Sequence, residues 1–167
     1  MNSGSLQNII LLFMLVLLQV LLLNNINLFN YLNPYIYILF VLIYPLKKEG
    51  GFFLILSFVL GLTIDFFSNS GGINAAATLF IAYIRIPVLN KILNKSDFDL
   101  QSFKLKNLSI SKMLSYIFVM TFIHHFILYS LEYFSFSNFS KIITTTILST
   151  IFTVLILVLS IVLFSRK

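Results

Sequence analysis

The stretch that decides the fold is "FVLGLTIDFFSNSGGINAAATLF", which runs from Phe58 to Phe80. It is almost wholly apolar, yet it carries a carboxylate at Asp65 and a glycine pair at Gly71-Gly72. An ionised side chain that faces lipid in the centre of a bilayer costs about 3 kcal/mol on insertion scales. We therefore expect Asp65 to face protein, with the glycines forming a tight turn between two helices.

The composition predicts an integral membrane protein. Of the 167 residues 59% are hydrophobic and only 10% are charged, and the mean hydropathy is +1.02, whereas soluble domains are about a quarter charged. The chain has no cysteine, which excludes disulfides and thiolate metal sites. The net charge of +6 comes from a few basic residues between apolar runs, so membrane topology explains it better than nucleic-acid binding does.

Six apolar runs predict an all-α membrane protein with six transmembrane helices in a single domain, residues 1–167. The runs cover residues 6–29, 33–46, 52–68, 73–89, 113–131 and 142–164, and a spanning helix needs about 20 residues. The second, third and fourth runs are short, so they need flanking residues or a thinner bilayer. The first run lacks basic residues before it and a cleavage pattern after it, which indicates an uncleaved helix. Continuous rather than alternating runs argue against a β-barrel.

The positive charges predict the orientation. With six spans, ten of the eleven cations lie on one face, and only Lys141 lies on the other. That face is expected to be cytoplasmic, with both termini inside. The cytoplasmic basic loop contains Arg85, Lys91, Lys95, Lys104, Lys106 and Lys112. Its start, residues 88–95, forms either a short helix on the inner membrane surface or part of a solvated loop.

Small and polar residues predict how the third and fourth spans pack. Ser57, Gly61 and Asp65 recur at four-residue intervals and so form one stripe of a helix. A second stripe on the next span contains Asn74, Thr78 and Ala82. Small residues let helix backbones approach closely. Together with Gly72 in the turn, these stripes predict a closely packed hairpin in which Asp65 makes a partner-binding or buried polar contact.

The fifth span carries His124 and His125, followed by Glu132. The histidines lie at about the depth of Asp65, so an Asp65–histidine pair across the bundle would lower the cost of burying both. Three interpretations stay open: a structural hydrogen bond, a proton or ion relay, and a contact with a partner. The histidines lack further metal ligands at a recognisable spacing, so no metal and no cofactor are predicted. Hydroxyls on the sixth span (Thr146, Thr150, Thr153 and Ser160) are interpreted as packing contacts.

No catalytic motif is found in the sequence. It lacks a nucleophile elbow, a His-Glu-x-x-His motif and a Walker loop. Only one carboxylate lies deep in a span, which rules out an intramembrane aspartyl dyad. The chain is therefore predicted not to be an enzyme.

The segment "SFVLGLTIDFFSNSGGINAAATLFIAYIRIPVL", residues 57–89, closely resembles the signature region of the MreD family. "NPYIYILFVLIYPL" at residues 33–46 and "HHFILYSLE" at residues 124–132 also resemble that family, as does the six-span plan. The motif residues carried over are Gly61, Asp65 and Gly72. The family's Tyr-x-Arg-Pro corner is matched only in part, because Ile86 stands between Arg85 and Pro87.

The resemblance implies a multi-pass protein of the bacterial inner membrane with no enzymatic activity. Members of this family support rod shape and lateral peptidoglycan synthesis together with an MreC-like protein, the MreB filament system, and RodA with its transpeptidase. Their fold is similar to that of the six-helix substrate-binding subunits of energy-coupling-factor vitamin transporters. Such a subunit is the alternative function, although the first span lacks the small-residue face that docking to an energising partner would need.

Overall fold

A computed structural model describes residues 3–26, 33–46, 50–93, 105–134 and 139–164. Within these ranges the chain is helical and contains no strand. The α-helices are α1 (Ser3–Leu21), α2 (Ile38–Ile43), α3 (Gly50–Ser68), α4 (Ile73–Leu93), α5 (Ile110–Tyr133) and α6 (Phe139–Phe164). Two short 3-10 helices cover Leu23–Asn25 and Leu105–Asn107.

Five helices in the described part of the chain are long and apolar enough to cross a bilayer. They are Leu6–Asn25, Gly50–Ser68, Ile73–Leu93, Ile110–Tyr133 and Phe139–Leu163. Each has at least 19 residues, close to the roughly 20 that the hydrocarbon core requires. The prediction of an all-helical, multi-pass membrane protein is thus confirmed at this level.

The turn between α3 and α4 is short because its residues adopt left-handed backbone conformations. The φ angles are +52° at Asn69, +66° at Gly71 and +94° at Gly72. Glycine adopts such angles without a steric penalty, and asparagine tolerates them. The turn therefore reverses the chain within four residues between Ser68 and Ile73.

Contacts between the helices define two ends of the bundle. At the first, which we call the Asp65 end, α3 ends and α4 begins, and Asn24 donates a hydrogen bond to the Ser68 hydroxyl at 3.0 Å. At the opposite end, the Arg85 end, α3 begins and α4 ends. Pairings between α4 and α5 and between α5 and α6 make these helices successively antiparallel.

The second apolar run differs from the spanning helix predicted for residues 33–46. Only Ile38–Ile43 is helical, and residues 33–37 are irregular. Pro34 lacks an N–H group and disfavours helix in the residue before it, which explains the irregular start. All residues from Ile36 to Leu42 are buried. We call residues 33–46 the interrupted segment.

The fourth helix is longer than predicted. It was expected to end at residue 89, but it continues through Pro87 to Leu93. Leu89 and Leu93 are buried in the main core. Residues 88–93 therefore form neither a separate surface helix nor part of a loop, because their apolar side chains pack inside the bundle.

Candidate functional site: a buried polar core

Asp65 lies at the junction of α3 and α4 with its side chain only 3% exposed. Its Oδ1 accepts hydrogen bonds from the Ser70 hydroxyl at 2.6 Å and from the backbone and side-chain nitrogens of Asn74 at 2.9 and 3.0 Å. Its Oδ2 accepts one from the Ala75 N–H at 2.8 Å. A carboxylate that accepts four bonds and donates none has the pattern of the ionised form.

These bonds make Asp65 a cap for α4, supplied by the preceding helix. The N–H groups of Asn74 and Ala75 belong to the first turn of α4, where no intrahelical acceptor is available. The positive end of the α4 dipole lies at the same point and favours a negative charge there. Asp65 therefore satisfies the start of α4, and α4 in turn stabilises the buried charge.

Gly61 allows the two helix backbones to come close enough for this contact. A Cβ atom at Gly61 would lie 2.5 Å from the Cα of Ala75 and 2.6 Å from the carbonyl oxygen of Asn74. Both neighbours are backbone atoms, so they cannot move aside without shifting the helix. Gly61 and Asp65, one turn apart, thus act on the same first turn of α4.

The polar contacts continue from Asn74 into the centre of the bundle. The Tyr37 hydroxyl donates to Asn74 Oδ1 at 2.8 Å and lies 3.0 Å from His124 Nε2. Because the only proton of the Tyr37 hydroxyl goes to Asn74, His124 must donate its Nε2–H to Tyr37. The donors therefore point in sequence from His124 through Tyr37 and Asn74 towards Asp65.

The expected Asp65–histidine contact across the bundle is thus indirect. Asn74 and Tyr37 stand between Asp65 and His124, and the Asp65 oxygens take their four bonds from the α3–α4 hairpin. His125 belongs to a different set of contacts. Its Nδ1 lies 2.7 Å from the Thr121 carbonyl oxygen and its Nε2 lies 3.4 Å from the Thr153 hydroxyl of α6.

The irregular part of the interrupted segment has its backbone groups satisfied by side chains from α1 and α6. Gln19 Nε2 donates to the Pro34 carbonyl at 3.0 Å, and Gln19 Oε1 accepts from the Ile36 N–H at 2.9 Å. The Tyr35 N–H donates to the Thr153 hydroxyl at 3.2 Å. Non-helical backbone at membrane depth is tolerated only where protein or trapped water satisfies it, and these contacts meet that requirement.

At the other end of α2, the Arg85 side chain satisfies a backbone carbonyl of the interrupted segment. Its Nη2 donates to the Leu42 carbonyl at 3.0 Å, its Nε donates to the Tyr116 hydroxyl at 3.1 Å, and its guanidinium lies 5.3 Å from the Phe53 ring centroid. The side chain is completely buried. Of the two predicted places for Arg85, the end of the fourth span and the cytoplasmic basic loop, the structure thus has the first, with α4 extending beyond Arg85 and its side chain in the core.

The other residues of the predicted basic loop are more dispersed. Lys91 is exposed in the last turn of α4, and Lys112 lies in the first turn of α5. Lys106 is in the 3-10 helix Leu105–Asn107, whereas Lys95 and Lys104 lie outside the described residues.

Three of the predicted site residues do not join the polar chain. The Ser57 hydroxyl is buried and donates to the Phe53 carbonyl of its own helix at 2.8 Å. Gly72 supplies the turn, and Glu132 is exposed near the end of α5. Of the eight predicted contact residues, the structure thus brings Asp65, Gly61, Asn74 and His124 together, while His125 lies beside them.

Several polar atoms in the same region are buried with no hydrogen-bond partner among the described residues: His124 Nδ1, Thr121 Oγ1, Thr146 Oγ1 and Thr150 Oγ1. Such atoms are uncommon in folded proteins. In the part of the chain that the structure describes, no three His, Asp or Glu side chains form a group that could hold a metal ion.

Sequence reasoning missed three residues of this core, namely Gln19, Tyr37 and Tyr116. Gln19 is the one polar residue between Ile9 and Leu23 and is completely buried. The available signal was the shortness of the second run together with Pro34, which leaves backbone groups that another span has to satisfy.

The chain was compared with protein-family models, curated proteins and solved structures, and none of them matches.

Proposed function

We propose that this chain is a non-enzymatic, multi-pass component of the bacterial inner membrane that acts as an MreD-like partner of the cell-elongation complex. The observation that carries the proposal is the α3–α4 junction. Gly61 and Asp65, which carry the sequence resemblance, are also the two residues that join α3 to the start of α4.

The proposed topology has six crossings with both termini in the cytoplasm. Its support is the path of the interrupted segment, which begins beside Gln19 and Asn74 near the Asp65 end and finishes beside Arg85 and Phe53 at the Arg85 end. In this topology the interrupted segment, rather than a full helix, makes the second crossing, with residues 33–35, a turn at Ile36 and Tyr37, and α2. The Arg85 end would then face the cytoplasm, in agreement with the lysines between the spans.

In this role the buried polar core fixes the shape of the bundle, and the partners bind its outside. The proposed partners are an MreC-like membrane protein, the MreB filament system, and RodA with its transpeptidase. A rigid α3–α4 hairpin would present a constant surface to them, because Asp65 leaves the two helices little freedom to slide.

The test is depletion and complementation in the source bacterium. Loss of the protein should give rounded, swollen cells, and tagged wild-type protein should recover the MreC-like protein from detergent extracts. Asp65→Leu should lower both recovery and rod shape, with Asp65→Asn milder. The matched control is Thr63→Leu, since among the described residues the Thr63 hydroxyl bonds only to the Val59 carbonyl of its own helix. Rods of normal width after depletion would contradict the proposal.

A transporter substrate-binding subunit is the second candidate, and the interrupted segment favours it. Transporters use broken helices at the bilayer midplane to bind substrates. A purified protein that retains a vitamin, released on denaturation and detected by mass spectrometry, would support this candidate over the elongation role.

A further inference from the structure

Four buried polar atoms of α5 and α6 have no hydrogen-bond partner in the part of the chain that the structure describes, and they fall into two pairs. On α5 the pair is Thr121 Oγ1 and His124 Nδ1, and on α6 it is Thr146 Oγ1 and Thr150 Oγ1. All four side chains are completely buried. A buried hydroxyl or imidazole nitrogen without a partner has lost its hydration with nothing to offset the loss.

The spacing within each pair suits a bridge by one small molecule. Thr121 and His124 are three residues apart, and Thr146 and Thr150 are four apart, so the members of each pair are neighbours on one side of their helix. The Cβ atoms of such neighbours lie about 5–6 Å apart. No hydrogen bond joins the members of either pair. One oxygen atom that makes two hydrogen bonds of about 2.8 Å each spans this separation.

The pair on α5 requires a ligand that donates a hydrogen bond. The neutral His124 ring carries its one proton on Nε2, which lies 3.0 Å from the Tyr37 hydroxyl and donates to it, so Nδ1 is an acceptor. The ligand is also neutral, because among the described residues no carboxylate bonds to either pair and an unpaired cation is costly to bury. Water is neutral, small, and able both to donate and to accept.

The contacts between α5 and α6 hold these groups in place. The Tyr129 hydroxyl lies 2.7 Å from the Ser149 hydroxyl, and His125 Nε2 lies 3.4 Å from the Thr153 hydroxyl. Ser149 and Thr153 stand on either side of Thr150 in the sequence of α6, and both are completely buried. The two helices are therefore fixed against each other at the level of the unsatisfied groups, which leaves these groups no other partner to turn to.

We propose that the bundle binds two internal water molecules as permanent parts of its core. The first bridges Thr121 Oγ1 and His124 Nδ1, and the second bridges the hydroxyls of Thr146 and Thr150. Buried waters of this kind satisfy polar groups that the protein leaves unpaired, and they are costly to remove. The first water extends the polar chain that starts at Asp65 by one turn of α5. Neither site depends on the proposed cellular role.

His124 and His125 provide an internal comparison for the first water. Both rings are completely buried, but the protein supplies partners for both nitrogens of His125. Solid-state NMR of the full-length chain, with isotope-labelled histidine and in phosphatidylcholine bilayers, can follow magnetisation that starts on water protons. The transfer should reach the His124 ring early and the His125 ring later. Thr121→Val should remove the early transfer, and Thr121→Ser should keep it.

Two results of this experiment would overturn the first site. One is equal transfer to the two rings in the wild type, which needs no variant to be observed. The other is early transfer to His124 that survives Thr121→Val.

The sign of a stability change tests the second water, because valine has the shape of threonine without the hydroxyl. Thr150→Val should expel the water and leave the Thr146 hydroxyl unsatisfied, so the melting temperature in detergent should fall by about 3 °C. Thr146→Val/Thr150→Val removes both groups and should regain part of this loss. The matched control is Thr144→Val, since the exposed Thr144 hydroxyl donates to the Ser140 carbonyl of the same helix. It should melt like the wild type.

A pair without water predicts the opposite sign. Each single valine at positions 146 and 150 would then raise the melting temperature, because it removes a buried hydroxyl that has no partner, and the two increases would add. That result would overturn the second site. So would a melting temperature that rises with sodium chloride but not with choline chloride, since the ligand would then be a cation.

Discussion

The α3–α4 junction and the interrupted segment both hold polar groups inside the bundle, but their partners come from different distances along the chain. Asp65 takes its hydrogen bonds from residues five to ten positions away. The interrupted segment takes its bonds from residues 17, 43 and 118 positions away. The junction can therefore form as soon as one hairpin exists, whereas the interrupted segment depends on helices from both halves of the chain.

The sharpest test of the junction is the replacement of Asp65. Asp65→Leu removes four hydrogen bonds and leaves two buried N–H groups of α4 without an acceptor, so we expect a loss of about 4 kcal/mol in the free energy of unfolding. Asp65→Asn keeps one acceptor oxygen and should lose about half as much. Reversible unfolding in mixed micelles measures both. If the two variants unfold alike, the carboxylate is not the cap.

The close approach of α3 and α4 can be tested separately from the charge of Asp65. Gly61→Ala places a methyl group against the backbone of Ala75, and we expect a loss of about 3 kcal/mol because neither helix can yield locally. Gly51→Ala in the same helix meets open space and should have little effect. The melting temperature in detergent, followed by size-exclusion chromatography, distinguishes them. Equal melting temperatures would mean that the helices are farther apart than described.

The hydrogen bonds between α1 and the interrupted segment are tested by replacing Gln19. Gln19→Leu leaves the Pro34 carbonyl and the Ile36 N–H without partners, which should cost about 2 kcal/mol. Gln7→Leu, at an exposed position of the same helix, is the matched control. Hydrogen exchange of the Ile36 amide should rise in Gln19→Leu only. Unchanged exchange there would show that α1 does not hold the segment.

The smallest expected effect concerns the link between the two regions. Tyr37→Phe removes the hydroxyl that joins Asn74 to His124, and we expect a loss of about 1 kcal/mol. Tyr83→Phe, at a position that is 71% exposed, controls for the loss of a tyrosine hydroxyl. A double-mutant cycle with Asn74→Ala reports whether the junction and the segment are coupled. Strict additivity would make them independent units.

This contrast also explains how much the sequence could predict. The stripe of Ser57, Gly61 and Asp65 indicated the buried face of α3 because a helix repeats every 3.6 residues. The turn at Gly71-Gly72 could likewise be predicted from its residue types. Both features depend only on neighbours in the chain.

The shape of the interrupted segment and the burial of Arg85 could not be predicted in this way, because both depend on contacts between residues far apart in the chain. The apolar run of residues 33–46 has no periodicity that separates a spanning helix from a buried, partly irregular segment. The sequence predicted that Arg85 lies at the end of the fourth span or in the loop after it, whereas α4 continues through Pro87 to Leu93. The burial of Arg85 follows from the Leu42 carbonyl and Tyr116, which lie 43 and 31 positions away.

The long-range bonds of the interrupted segment have a consequence for how the protein is made. When residues 33–46 leave the ribosome, Arg85 and Thr153 have not yet been synthesised, so part of the segment's backbone has no acceptor or donor in the membrane. Because the Tyr35 N–H bonds to Thr153, the segment reaches its final contacts only after α6, the last of the described helices, has been inserted. Until then its backbone must be hydrated or shielded from lipid, as it is inside the insertion machinery. The last contacts of this bundle therefore form at residues 33–46, early in the chain, rather than at the helix that is inserted last.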